Sequence, residues 1–285
     1  MLTLPARGGA EEYALTIARA ASEQGWDVHA ALPFERETES LRHDLRAAGS
    51  ELSAIAGGDG VGGGTAHALG RLRATLSFAR AVLRFRPDVV HVTLAWPTNA
   101  FPQLLTSAIL GLPTLVVFQL VVAGPVFGPR RRLAYRWMRS RHQRWIAVSH
   151  YGRHVLSTLY GMDSDAIGVI YNGAPVVHPE RDGPSADARA EVRAELGLPS
   201  DATMLLSVGR LDHQKGHVDV LCALSGVHSA RPDVRLVIAG EGPEDQGGTR
   251  VCHVGLNGGL AGTAEVRCGR GRHRTAPSLS REIDD

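Results

Sequence analysis

The stretch of the 285-residue chain that carries the most chemistry is Ser207–Gly216, which holds Arg210 and Lys215 together with Gly209, Asp212 and Gly216. Arg210 reads as ending a strand and Lys215 as preceding a helix. Both then face the carboxyl edge of a sheet. There a guanidinium fork and an ammonium point charge, with helix N-terminal amides beside them, can hold an anion and stabilise charge that develops on it. Lys215 is the one Lys among 31 basic residues, the other 30 being Arg. A chain so biased toward Arg that keeps Lys at this position points to a role Arg does not fill. Glycines sit at matching places: Gly8 and Gly9 before the first helix, Gly209 after one strand, Gly240 and Gly242 after another. Glycine lets backbone approach a ligand closely, although for Gly8–Gly9 a simple tight turn is an equal alternative. His91, read as ending a strand at the same kind of edge, is a further polar candidate, with a half-buried structural histidine as its alternative.

These residues need elements to position them, and the pattern supplies them. Residues 10–24 carry helical periodicity through Tyr13, Ala14, Ile17, Ala18 and Ala21, closed by Gly25, and 27–32 reads as a strand. A helix is expected over 65–85. Strands are expected over 89–93, 114–122, 145–148, 167–171, 204–208 and 234–239. Apolar strands alternating with helices predict parallel sheets covered on both faces, with ligands at the carboxyl edges. Pro175, Pro179, Asp182, Gly183 and Pro184 mark a linker. The expected organisation is therefore an acceptor-side Rossmann-like domain over 1–174, a partial second domain over 175–244, and an atypical tail over 245–285.

Composition narrows the classes. Hydrophobic residues make up 44% and charged residues 21%, which excludes wholesale disorder, and three Cys exclude a disulfide framework. No Cys/His cluster has zinc spacing. The 25 uncharged positions from Leu104 to Gly128 are long enough for a membrane span. Gly111, Pro113, Gln119 and Pro125 interrupt them, so the run is read instead as helix end, buried strand and loop. Met1–Gly9 lacks a long apolar run, so the expected location is cytoplasmic. The loop 57–64 is glycine-rich but lacks the Lys-Ser/Thr ending of a phosphate-binding P-loop, and no G-x-G-x-x-G follows the first strand, which argues against a dinucleotide oxidoreductase.

One face is strongly basic. Between His91 and Met162 there are eight Arg and no Asp or Glu, within a chain of net charge +2. Arg130, Arg131, Arg132, Arg136 and Arg139 interleave with Leu133, Tyr135, Trp137 and Met138. Such a stretch can lie on an anionic membrane surface, peripheral at its inner face, or contact an acidic acceptor. The plain alternative is a solvated helix face with its apolar residues turned inward. No nucleic-acid-binding signature accompanies it, and nucleic acid is not expected as a partner.

Several of these segments, in this order, resemble the retaining GT-B glycosyltransferases of the family 4 (group 1) type. They are Gly8-Gly9-Ala10-Glu11, Arg86–His91, Ala147-Val148-Ser149, Val169–Gly173, Ser207–Gly216 and Leu236–Pro243. The resemblance covers residues 1 to about 244 and implies two doubly wound Rossmann-like domains facing a cleft, the second incomplete here. It implies sugar transfer from a UDP- or GDP-linked donor to a glycan, lipid-linked or small-molecule acceptor. The nucleotide sugar is then a co-substrate, and neither resident cofactor nor metal is involved. By the same resemblance Arg210 and Lys215 hold the donor diphosphate, Asn172-Gly173 is a strand-end turn, and His91 lies near the acceptor. Gln119 stands where the family commonly has a His. It can donate and accept hydrogen bonds but cannot titrate.

The chain departs from the family after Glu244. The pair of Glu spaced E-x7-E that holds the donor sugar and ribose does not occur after Arg210. The last 41 residues, with eight Gly and six Arg, show no period of strand or helix. The expectation is a truncated or frame-shifted second domain, exposed apolar surface and impaired activity. The alternative function is a non-catalytic remnant that binds acceptor or membrane through its Arg-rich first domain.

Overall fold

The computed structural model describes residues 8–56, 65–122, 124, 126–173, 185–240, 251–256 and 264–268. The chain forms two compact units, Met1–Ala174 and Pro175–Asp285. Gly242 and the loop 57–64 lie outside the described residues.

Unit 1 runs α1 (Gly9–Glu23), β1 (His29–Leu32), α2 (Glu39–Ala47), β2 (Glu51–Ala54), α3 (Thr65–Phe85), β3 (Val90–Leu94), α4 (Phe101–Ile109), β4 (Thr114–Phe118), α5 (Pro129–Ser140), β5 (Gln143–Ala147), α6 (His150–Tyr160) and β6 (Ile167–Val169). Strands β3-β4-β5-β6 form one parallel sheet in that order, and β1-β2 a second parallel pair. Parallel neighbours need a crossover, which each intervening helix provides. Every strand of the larger sheet therefore ends at the same edge. The uncharged run 104–128 resolves as the sequence reading has it. Helix α4 stops before Gly111, whose φ of +67° favours glycine, and β4 follows Pro113. Among the described residues no helix is long and apolar enough to cross a membrane.

The core of unit 1 sits under this sheet. Val92, Leu94, Val116, Phe118, Trp145 and Ala147 pack against Leu104, Ala108, Tyr135, Met138, Leu156 and Tyr160. Phe118, Tyr135, Trp145 and Tyr160 meet edge-on or tilted, with centroids 4.6–6.0 Å apart, as quadrupolar rings prefer. The polar tips are satisfied. Trp145 Nε1 donates to Gln143 Oε1 (3.1 Å), Gln143 Nε2 to the Leu104 carbonyl (2.7 Å), and Tyr160 Oη to the Pro97 carbonyl.

Unit 2 contains α7 (Ala186–Glu195), β7 (Thr203–Val208), α8 (His217–Ala230), β8 (Val234–Ala239), β9 (Val251–Leu256) and β10 (Ala264–Cys268). β7 and β8 pair in parallel across α8. β9 and β10 then add in antiparallel fashion, giving the order β10-β9-β8-β7. Those two strands fall in the tail, where the sequence shows no period. β7 lies at one edge of this sheet, and Leu205, Leu206 and Val208 on it are exposed.

Candidate functional site

The carboxyl edge of unit 2 is built on two glycines. Gly209 follows β7 and donates its N–H to the Ala239 carbonyl (3.0 Å) at the end of β8. Gly240 comes next on β8, and a Cβ placed there would overlap the Gly209 carbonyl oxygen. Two strand ends can approach this closely only without a side chain. Arg210 leaves this contact with its guanidinium exposed, Nη2 lying 3.5 Å from Asp212 Oδ2.

The chain then makes a short turn, His213–Lys215. Asp212 caps it by accepting from the Gln214 N–H (3.0 Å), and the Lys215 N–H donates to the Asp212 carbonyl (2.8 Å). Gly216, at φ +65°, turns the chain into α8. Lys215 is exposed, and its stem lies against Gly209, 3.6 Å from where a Cβ would stand. Arg210 and Lys215, predicted from sequence, thus leave one glycine-paved edge beside the start of a helix.

A residue that sequence reasoning passed over anchors this loop. His217, the first residue of α8, is buried. Its Nε2 lies 3.1 Å from the Arg210 carbonyl and its Nδ1 3.3 Å from Ser207 Oγ. The signal available was its place directly after the Lys215-Gly216 pair.

Unit 1 brings together two residues that the sequence reading kept apart. Gln119 follows β4, its N–H bonded to the Leu94 carbonyl (2.8 Å), and its side-chain amide pairs with that of Asn172. Asn172 Nδ2 donates to Gln119 Oε1 at 2.7 Å, and the return contact is 3.5 Å. At the start of α1, the Gly8 N–H donates to Glu11 Oε2 (2.9 Å), and the Cβ position of Gly9 is open. The Gly8 amide is thus directed at the helix's own buried Glu11.

His91 requires a correction. It is the second residue of β3, paired in register with Leu115, and so lies toward the amino end of its strand, not at the carboxyl edge. Its Nε2 lies 3.5 Å from Tyr13 Oη, and the two rings meet edge-on at 5.7 Å. Burial pushes its pKa down to about 4.

The basic face divides. Arg131 stacks over Phe127 (4.2 Å) and donates to Tyr135 Oη (3.3 Å). Arg132 donates to the Thr158 carbonyl (3.3 Å) and lies against Gly161, and Arg139 Nε donates to the Ala166 carbonyl (2.9 Å). These three side chains have partners within unit 1. Arg130 and Arg136 are exposed, and Leu133 (69%) and Trp137 (42%) are exposed with them, while Tyr135 and Met138 turn inward.

Comparison with known proteins follows the same division. Glycosyltransferase Family 4 matches residues 7–177, and Glycosyl transferases group 1 matches residues 188–249. A GDP-mannose-dependent alpha-mannosyltransferase of Corynebacterium glutamicum is 31% identical over 175 residues, 58% of this chain and 38% of that protein. An alpha-maltose-1-phosphate synthase of Mycolicibacterium smegmatis is 35% identical over 102 residues, 35% of this chain and 24% of that protein. The chain thus spans well under half the length of these relatives. Among solved structures, a glycosyltransferase from Rickettsia africae has a TM-score of 0.62 at 18% identity, covering 78% of this chain and 55% of that one. HepE from Anabaena, in complex with UDP and glucose, has a TM-score of 0.60 at 18% identity, covering 86% and 60%. These structural likenesses establish the GT-B architecture.

Proposed function

The chain belongs to Glycosyltransferase Family 4, and from that membership we propose that it transfers a sugar, with retention at the anomeric carbon, from a UDP- or GDP-linked donor to a carbohydrate, lipid-linked or small-molecule acceptor. The observation that carries this reading is the Gly209–Gly240 contact, with Arg210 and Lys215 leaving it at the start of α8. As the glycosidic bond breaks, charge builds on the diphosphate oxygens of the leaving group. The Arg210 fork takes two of them, the Lys215 ammonium takes the point of greatest charge, and the first amides of α8 add their dipole. These groups neutralise the diphosphate without a metal ion. A relative that is GDP-mannose-dependent and a structural neighbour crystallised with UDP support a nucleotide-linked donor. Gln119 and Asn172, a reciprocal amide pair at the carboxyl edge of unit 1, suit hydrogen bonding to sugar hydroxyls. Turnover is expected to be low in this chain, because β7, the edge strand that leads into Arg210, leaves Leu205, Leu206 and Val208 exposed. A turnover in the usual enzymatic range, on the order of 10 per second, would overturn that expectation.

The test is nucleotide binding. UDP or GDP should protect residues 207–217 from hydrogen exchange, and Lys215→Ala should abolish the protection. Protection that survives Lys215→Ala counts against the reading.

One observation favours a second reading, in which the first domain binds acceptor or an anionic membrane surface. Leu133 and Trp137 on α5 point outward between Arg130, Arg136 and Arg141, the last with its guanidinium 6.0 Å from the Trp137 ring. An interfacial helix needs outward apolar side chains set among cations. Vesicles containing phosphatidylglycerol should sediment the protein at low salt, and Leu133→Ser with Trp137→Ser should release it. No sedimentation at low salt ends this reading.

A further inference from the structure

We propose that His217 is a positioning residue of the anion site, holding Arg210 through a fixed neutral tautomer that Ser207 selects. The proposal rests on the donor-diphosphate reading above and adds to it the device that holds the Arg210 backbone at the strand end, from which its guanidinium extends.

The argument starts from what each partner can do. A backbone carbonyl only accepts, so the His217 nitrogen facing the Arg210 carbonyl at 3.1 Å must carry the proton, and that nitrogen is Nε2. In a neutral ring Nδ1 is then an acceptor. Its partner at 3.3 Å is Ser207 Oγ, a hydroxyl that donates. Ser207 lies on β7 and points its hydroxyl at the ring, so it favours the tautomer that can hold the carbonyl. His217 is buried, and both its nitrogens have partners, as a buried imidazole requires.

The bridge matters because little else restrains Arg210. Its side chain is exposed and meets Asp212 at 3.5 Å, a contact that solvent weakens. Its backbone is held on both sides. The preceding Gly209 N–H bonds to the Ala239 carbonyl at 3.0 Å, and its own carbonyl bonds to His217. The imidazole ties the end of β7, the Arg210 carbonyl and the first turn of α8 together across the loop that carries Lys215. An anion-binding cation acts strongly only when its position is set before the charge arrives.

The experiment measures UDP and GDP affinity of the whole chain by calorimetry for wild type, Lys215→Ala, His217→Phe, Ser207→Ala and Ser207→Thr, with far-UV circular dichroism to confirm folding. His217→Phe keeps a ring of similar size and is expected to weaken binding about tenfold, the cost of one lost buried hydrogen bond. Ser207→Ala leaves the histidine in place but lets its tautomer vary, and should weaken binding about threefold. Ser207→Thr, which keeps the hydroxyl, should restore it. Nitrogen-15 spectra of the histidine side chains should show one ring with a protonated Nε2 and a bare Nδ1 in wild type, and a mixed signal in Ser207→Ala. Wild-type affinity in both His217→Phe and Ser207→Ala, with Lys215→Ala still defective, overturns the positioning role and leaves the diphosphate reading standing. A protonated Nδ1 in wild type also overturns it. Absence of nucleotide binding in folded wild type removes both, and binding unaffected by Lys215→Ala removes the diphosphate reading by itself.

Discussion

Unit 1 and unit 2 use the same strand–helix–strand construction but commit their side chains differently. In unit 1 the four-stranded sheet is buried under helices, its aromatic core is continuous, and most polar groups near its strand ends are tied to the protein itself. Gln119 holds Asn172, Gly8 holds Glu11, and Arg131, Arg132 and Arg139 hold rings and carbonyls. In unit 2 the described core is the small cluster Leu224, Val234, Leu236 and Ile238, the edge strand shows Leu206 (56%) and Val208 (74%) to solvent, and the cations at its strand end point outward. The larger packed core belongs to unit 1, and in unit 2 Arg210 and Lys215 are left exposed at a strand end.

The largest effect should come from cutting the first core. Trp145→Ala is expected to cost unit 1 about 3–5 kcal/mol, since it opens a cavity among Phe118, Tyr135 and Tyr160 and strips Gln143 Oε1 of a donor. All four tryptophans precede residue 174, so the fluorescence of the remaining three in urea reports unit 1. Leu206→Ala, on the exposed strand of unit 2, should change the exchange of β7 and β8 amides by less than about 0.5 kcal/mol. Comparable losses at the two positions would erase the contrast between the units.

Next in size is the glycine contact. Gly240→Ala is expected to destabilise the carboxyl edge of unit 2 by about 3 kcal/mol, the upper end of overpacking costs, because a Cβ there meets rigid backbone. Gly9→Ala, at a helix start with open space around its Cβ, should be neutral or slightly stabilising. Hydrogen exchange of residues 207–217 and 8–20 reads the two. A mild Gly240→Ala would mean that the two strand ends can separate, and would weaken the case for a preformed anion site.

Much of this was legible before the structure. Helix α3 over 65–85 and strand β8 over 234–239 are long, strongly patterned segments, and they fall where the pattern places them. The positions of Arg210 and Lys215 followed from the strand end and the helix start around them. What stayed hidden was decided by contacts distant in sequence or by weak local pattern. β2, four residues with no buried side chain, has no apolar run to announce it, and β9 and β10 lie in a stretch without period. The strand position of His91 depends on a register shift of a few residues, which local pattern does not resolve. Nothing near Arg132 or Arg139 in the sequence shows that a carbonyl from another element waits for each. The Ser207–His217 bridge joins a strand to a helix ten residues on, and only the folded turn reveals it.

Acid should separate the units further. Burial holds His91 at about 4 in folded unit 1, whereas an unfolded histidine titrates near 6.5. Below pH 6.5 the unfolded chain therefore binds a proton that the folded chain does not. Unit 1 keeps its full stability above that pH and loses about 2 kcal/mol by pH 5, the loss levelling off once the pH passes below 4. His91→Phe removes this part of the pH dependence while keeping a ring against Tyr13. Urea midpoints of wild type and variant, compared between pH 7 and pH 5, isolate it from the other histidines. Parallel curves would show that His91 is not held neutral by its burial.

The smallest effect is also the one that bears most directly on unit 2. Asp212 does two things: its carboxylate caps the turn at Gln214 and lies 3.5 Å from the Arg210 guanidinium. On the proposed diphosphate reading, the incoming anion competes with that carboxylate for Arg210. Asp212→Asn keeps an oxygen for the cap and removes the charge. Exposed ion pairs are worth at most about 1 kcal/mol, so nucleotide affinity should rise by up to about fivefold, with the turn intact by hydrogen exchange. A fall in affinity, with the turn still formed, would mean that Asp212 holds Arg210 in its binding pose instead of competing for it. The outward charge of unit 2 would then be an assembled pair, tied to the protein in the way the polar groups of unit 1 are.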